Sequence, residues 1–197
     1  MLQASLRTQA PLLQPVNAMI ANVNEMLCQG VGNGQFATMF LARIDETNLT
    51  LQYVNAGHNP PVLVRADGRR VLLEAGGPMV GSFEGIPFAQ GEVALAPGDR
   101  IVAYTDGVSE AMNASQEMYG DERVVDLAAS LPRDESAQQT IDSILVALRG
   151  FLAGEEPQDD MTLMVVRVLG QPAASGAGAA RVAAPALPSP AAQESAT

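Results

Sequence analysis

The chain has 197 residues, 47% of them apolar, enough for one domain with a substantial core. Its 11 basic and 22 acidic side chains give a net charge of −11, which would repel a phosphate backbone and disfavours nucleic acid as a partner. The single cysteine, Cys28, cannot form an internal disulfide, no apolar run approaches the roughly 20 residues of a membrane span, and no signal-peptide pattern follows Met1. These features predict a soluble protein of a reducing cytoplasm.

In chain order, Leu2, Leu6, Leu12 and Leu13, then Val16, Met19, Ile20, Val23, Met26 and Leu27, follow helical spacing. Pro11 and Pro15 divide a short first helix from a longer second one that ends near Gly30. Phe36 to Asp45 and Leu49 to Asn55 read as a hairpin across Glu46, Thr47 and Asn48. Gly57-His58-Asn59-Pro60-Pro61 breaks the sheet, and Val62 to Arg65 with Val71 to Leu73 forms a second hairpin around Asp67-Gly68. Both predict antiparallel pairing. Gly76-Gly77-Pro78 and Gly81 open a loop, and Phe88 to Leu95 supplies a further strand.

Pro97-Gly98-Asp99 then turns into Arg100 to Tyr104, an apolar run too short for a helix that stops at Thr105-Asp106-Gly107. Beyond Glu110 the period becomes helical, over Glu122 to Leu131 and over Ser136 to Leu152, the latter with Ile141, Ile144, Leu145, Leu148 and Leu152 on one face. Asp159-Asp160 precedes an almost unbroken apolar run, Met161 to Leu169, which predicts a central strand. From Gly170 to Thr197, Ala, Pro, Ser and Gly without periodicity predict a disordered tail, leaving residues 1–169 as the domain.

Asp106 ends one apolar strand and Asp159-Asp160 begins another. If the two strands neighbour each other antiparallel, the carboxylates converge on one rim, the oxygen-rich surround that hard divalent cations take. The alternative is ordinary turn chemistry, in which Asp106 caps the following turn and Asp159-Asp160 is a solvated loop.

Several segments carry a family resemblance: Met39-Phe40-Leu41-Ala42, Asn55-Ala56-Gly57-His58-Asn59-Pro60-Pro61, Gly98 to Glu110, Tyr119-Gly120 and Gln158-Asp159-Asp160-Met161-Thr162, in that order. Together they resemble the SpoIIE/RsbU branch of the PPM-type metal-dependent serine/threonine phosphatases. The resemblance implies an α+β fold, an α/β/β/α sandwich of two mostly antiparallel sheets flanked by helices. It also implies two Mn²⁺ or Mg²⁺ ions and a metal-activated water that attacks a phosphoserine or phosphothreonine.

By the matching segments Asp106 and Asp159 would be metal ligands, Asp160 the neighbour able to replace Asp159, and Gly107 the point where backbone passes close to the ions. His58, the only histidine, and Asn59 fall on a different family loop from the one with the metal-proximal histidine. They are read as packing or site-lining residues rather than ligands. The family also has an earlier Gly-Gly-Asp strand and an Asp-x-x-Gly-His-Gly segment that supply the remaining ligand aspartates, and neither occurs here. The chain therefore reads as the later part of a catalytic domain, missing its first strands. Two functions stand side by side: a phosphatase acting on a phosphoprotein such as an anti-sigma factor antagonist, or an impaired remnant that binds a partner, or a second copy as a homodimer, through open sheet edges.

Overall fold

The computed structural model describes residues 14–30 and 36–170. In chain order these form α1 (Val16–Gly30), β1 (Met39–Asp45), β2 (Thr50–Ala56), β3 (Val62–Val64), β4 (Arg70–Leu72), β5 (Gly76–Gly77), β6 (Gly91–Ala94) and β7 (Arg100–Tyr104). α2 (Asp106–Ser109), α3 (Asp121–Ser130), α4 (Ala137–Leu152) and β8 (Leu163–Arg167) follow. The expected first helix around Leu2 and Leu6 and the tail from Gln171 to Thr197 lie outside the described residues.

Strand alternation builds the layers. On β3 and β7, Val62, Val64, Val102 and Tyr104 join Val124, Ala128, Ile144 and Leu148 of α3 and α4 in one apolar core. The residues between them, Leu63 and Ile101, face the other way and meet Leu51 and Tyr53 of β2 in a second core. The far side of the sheet that holds β2 takes α1, whose Val16, Ile20, Val23 and Leu27 pack with Val54, Ala56, Val80 and Phe88. The order of layers is thus α1, one sheet, a second sheet, then α3 and α4.

The first sheet runs β1-β2-β5 with β6 also on β2, and the second runs β4-β3-β7-β8. Both expected hairpins form, with Asp45 opposite Thr50 and Val64 opposite Arg70. They belong to different sheets, because the chain crosses over at Gly57, which has φ +73 and no room for a side chain: a Cβ there would stand 2.7 Å from Met79 Cγ. Asn55 shapes the crossing by accepting from His58 N (2.8 Å) and donating to His58 O (2.9 Å).

Three sequence expectations change. The strand read over Phe88 to Leu95 shortens to Gly91–Ala94, since Phe88 turns into the α1 core. The run Met161 to Leu169 forms β8, but among the described residues it pairs with β7 alone and lies at the sheet edge. Its apolar composition reflects cover on its two faces, not a neighbour on each side: Leu163 and Val165 pack toward the helices, Val166 toward the other sheet. On α4 the buried line is Thr140, Ile144, Leu148 and Leu152, while Leu145 is half-buried beside it.

Helix α4 is the best-started helix. Ser136 Oγ accepts from Gln139 N (3.2 Å) and Gln139 Oε1 accepts from Ser136 N (2.8 Å), a reciprocal cap. At α1 a distant side chain does this work, Gln90 Oε1 accepting from Val16 N (2.9 Å).

Candidate metal centre

Strands β7 and β8 are antiparallel neighbours in the register Tyr104 opposite Leu163 and Arg100 opposite Arg167. The end of β7 and the start of β8 therefore share one rim, and the residues just beyond them are Asp106 and Asp159-Asp160. Two threonines lock that rim. Thr105 N donates to Thr162 O (3.1 Å) and Thr162 N donates to Thr105 Oγ1 (2.9 Å).

Asp106 is the first residue of the single-turn helix α2, with Thr105 as its N-cap. Its Oδ1 accepts from Gly107 N (2.9 Å), as Asp159 Oδ1 accepts from Asp160 N (2.7 Å), so each carboxylate is steadied by the amide that follows it. All three aspartates are exposed. Gly107 is buried, and a Cβ on it would overlap the Asp160 carbonyl oxygen and stand 3.4 Å from that of Asp159. The backbone of the β7 turn thus seats directly against the Asp159-Asp160 backbone.

The donor chemistry, carboxylate and carbonyl oxygen around a side-chain-free position, fits a hard divalent cation. It is a partial set: among the described residues no three His, Cys, Asp or Glu side chains gather closely enough to hold an ion.

His58 sits beside this rim. Burial lowers the imidazole pKa below its ordinary value, and the Asp106 charge partly offsets that. Asn59 turns away from the aspartates, its Nδ2 donating to Ser109 Oγ (3.2 Å) and Asp121 Oδ1 (3.2 Å). Asp121 Oδ1 also accepts from the Tyr104 hydroxyl at 2.9 Å. Burial, then this bond, raises the Tyr104 pKa. Asn59 therefore ties the crossover loop to the end of α2 and the start of α3.

A small cleft of about 200 Å³ opens on the rim, lined by Gly107, Glu110, Ala111, Met112, Gln158 and Asp159. A larger cavity of about 570 Å³, walled in part by Pro60, Leu72, Asp121 and Val125, lies beside α3 away from the three aspartates. Sequence reasoning missed Ser109, Asp121, Glu110 and Met112 as neighbours of the site. Ser109 and Glu110 lie at the end of the matching Gly98 to Glu110 segment, and Asp121 is an acidic residue after Gly120 at a helix start; Met112 carried no signal.

Set against known proteins, the Stage II sporulation protein E (SpoIIE) family matches residues 1–169. The chain belongs to the SpoIIE family. Protein IcfG of Synechocystis sp. is 33% identical over 132 residues, covering 66% of this chain and 20% of IcfG. Phosphoserine phosphatase RsbU of Bacillus subtilis is 29% identical over 151 residues, covering 75% of this chain and 44% of RsbU. Among solved structures, the RsbU and RsbW domains of a Mycobacterium tuberculosis protein superpose with a TM-score of 0.71 at 30% identity, covering 87% of this chain and 48% of that one.

The PP2C phosphatase domain of Bacillus subtilis SpoIIE superposes at 0.71 with 20% identity, covering 85% of this chain and 49% of that one. The two-sheet sandwich is thus the PP2C phosphatase fold, as the sequence motifs implied. This SpoIIE-family chain spans less than half the length of these relatives.

Proposed function

We propose that this domain serves metal-dependent hydrolysis of phosphoserine or phosphothreonine in a partner regulatory protein, an anti-sigma factor antagonist being the expected kind, in the cytoplasm. One observation carries the reading: the β7–β8 pairing brings Asp106 and Asp159 to one rim, where Gly107, having no side chain, lets the two aspartate turns seat against each other. The relatives agree with it, since RsbU is named a phosphoserine phosphatase and the catalytic domain of the serine threonine protein phosphatase PstP is described in complex with two manganese ions. Among the described residues no helix is long and apolar enough to cross a membrane.

Asp106 and Asp159 would hold Mn²⁺ or Mg²⁺, with Asp160 able to replace Asp159. What a divalent ion supplies there is a lower pKa for bound water and neutralisation of phosphoryl charge. The chain's own residues do the placing. The Thr105–Thr162 pair fixes the spacing of the two aspartate turns, Gly107 keeps side-chain bulk out, and Asn59 with Ser109 holds the neighbouring loop in place. With water as the nucleophile, hydrolysis needs no covalent phosphoenzyme.

The test is phosphate release from a phosphoserine peptide with Mn²⁺, comparing the chain with its Asp106→Asn variant. The expected result is slow, Mn²⁺-dependent release that Asp106→Asn abolishes. Release unchanged by that substitution would overturn the assignment.

A second reading rests on β8, whose outer edge pairs with nothing among the described residues. On that reading the domain binds a partner, or a second copy, by adding a strand there. Partner binding without phosphate release, intact in Asp106→Asn, would favour it.

A further inference from the structure

The cleft on the aspartate rim has two walls. One is the turn that carries Gln158 and Asp159; the other is formed by Gly107, Glu110, Ala111 and Met112, where the segment that runs on to Tyr119 begins. This second wall is closely tied. Met112 and Met118 form an antiparallel bridge, Tyr119 N donates to Ala111 O (2.9 Å), and Asn113 Oδ1 accepts from Ser115 N (2.9 Å) and Glu117 N (3.1 Å).

Arg123, from the first turn of α3, straps it down. Its Nη1 donates to Met118 O (2.9 Å) and Tyr119 O (2.8 Å), and its Nη2 to Glu117 Oε1 (2.5 Å). The same guanidinium lies 4.9 Å from the ring centre of Phe151, on which Tyr119 packs edge-on at 5.2 Å. Phe151 is in the last turn of α4, the helix that leads into Gln158 and Asp159. One arginine therefore ties the Met118–Tyr119 end of this segment to the last turn of α4.

Within the fixed wall, Met112 is half-buried, lines the cleft, and belongs to none of the three apolar cores among the described residues. An unbranched thioether in such a place suits contact with a side chain from outside. The volume of about 200 Å³ leaves room for a single residue. Glu110, on the same cleft, would repel an acidic one.

We propose that the wall formed by Glu110, Ala111 and Met112 reads the residue next to the phosphoserine of the substrate, with Met112 as the specificity-determining contact that favours an apolar neighbour over an acidic one. This rests on the reading of Asp106 and Asp159 as the phosphoryl site. Arg123 steadies the far end of the segment that Met112 opens.

The test uses the full chain with Mn²⁺ and a phosphoserine peptide carrying a diazirine leucine directly after the phosphoserine, the photo-cross-link being mapped by mass spectrometry. The label is expected between Ala111 and Met118. It should fall about tenfold in Met112→Glu, within the range that one apolar contact contributes to discrimination, and persist in Met112→Leu. An unlabelled peptide with leucine after the phosphoserine should compete, and one with glutamate there should not.

Label on Leu72 or Val125 in the larger cavity, still dependent on phosphate, Mn²⁺ and Asp106, would overturn the role of Met112 while leaving the aspartate rim as the phosphoryl site. Label that needs none of the three would overturn both.

Discussion

Gly107 stands so close to Asp160 that any Cβ on it would run into the Asp160 main-chain carbonyl. Backbone cannot yield as a flexible side chain can, so Gly107→Ala must push the β7 turn and the Asp159-Asp160 turn apart. The expected cost is about 1–3 kcal/mol, as for other overpacked sites. Gly150 supplies the contrast: it lies in α4 with nothing within 4 Å of an added Cβ. Gly150→Ala should stabilise by about 0.5 kcal/mol through helix propensity. Thermal melting of both variants checks the opposite signs.

Two aspartates seven residues apart in one stretch have opposite roles. Asp99 is 1% exposed and accepts from Ala96 N (2.9 Å), Ala66 N (3.0 Å) and Arg65 Nη1 (2.9 Å), joining the β3–β4 turn to the start of β7. Asp99→Ala would strand two amides and should cost about 3 kcal/mol. Asp106 is exposed, and with no divalent ion present Asp106→Asn should change stability by less than about 0.5 kcal/mol. Melting in EDTA decides between them. The reverse ranking would make Asp106 a structural residue.

The same contrast shows what was readable in the residues. That Asp106 and Asp159 each stand at the end of a short apolar strand followed from the residues, because period and turn chemistry are local properties; their convergence was conditional on the strands being antiparallel neighbours, which the β7–β8 pairing supplies. The edge position of β8 was not readable, since Leu163, Val165 and Val166 look alike whether they are buried by faces or by neighbouring strands. Nor was the Asp121 network. Asn59 and Asp121 are far apart in sequence, and only the packing of the crossover loop on α2 and α3 joins them. Asp99 read as a turn residue, and its burial emerged only once Arg65 and Ala66 were placed against it.

On α4 the buried line passes through Ile144 (0% exposed) and Leu148 (1% exposed). Ile144→Ala or Leu148→Ala should each cost about 2–5 kcal/mol, the transfer term plus the cavity left behind. Leu145 is half-buried, so Leu145→Ala should cost about 1 kcal/mol, near the centre of the range for point substitutions. Urea unfolding of the three variants checks the order, and equal costs would mean that the helix is rotated from the orientation described.

His58 gives one imidazole signal to follow, because the chain has a single histidine. Burial lowers its pKa below 6.5, and Asp106 opposes the shift. Folding therefore favours the neutral ring. The stability involved is fully present above 6.5 and is lost as pH falls through the lower folded value, where the unfolded chain binds the proton more readily. An NMR titration should find the midpoint below 6.5, and Asp106→Asn should lower it further. A midpoint that rises in Asp106→Asn would separate His58 from the aspartate rim.

The last pair is Tyr104 and Asp121. The tyrosine is 2% exposed and its hydroxyl donates to the Asp121 carboxylate at 2.9 Å, while Asp121 itself is exposed. Removing either partner breaks the bond between them, but the groups left behind differ. Tyr104→Phe leaves a carboxylate that water can reach, and should cost about 0.5–1.5 kcal/mol. Asp121→Ala leaves a phenol hydroxyl inside the protein with no acceptor and takes one partner from the Asn59 amide, so about 1–3 kcal/mol is expected. The double variant should cost less than the sum of the two, because a phenyl ring at position 104 has no hydroxyl to strand. Denaturant unfolding of the four proteins gives the coupling directly. Strict additivity would mean that the bond contributes nothing, and that Tyr104 of β7 is held to α3 by packing alone.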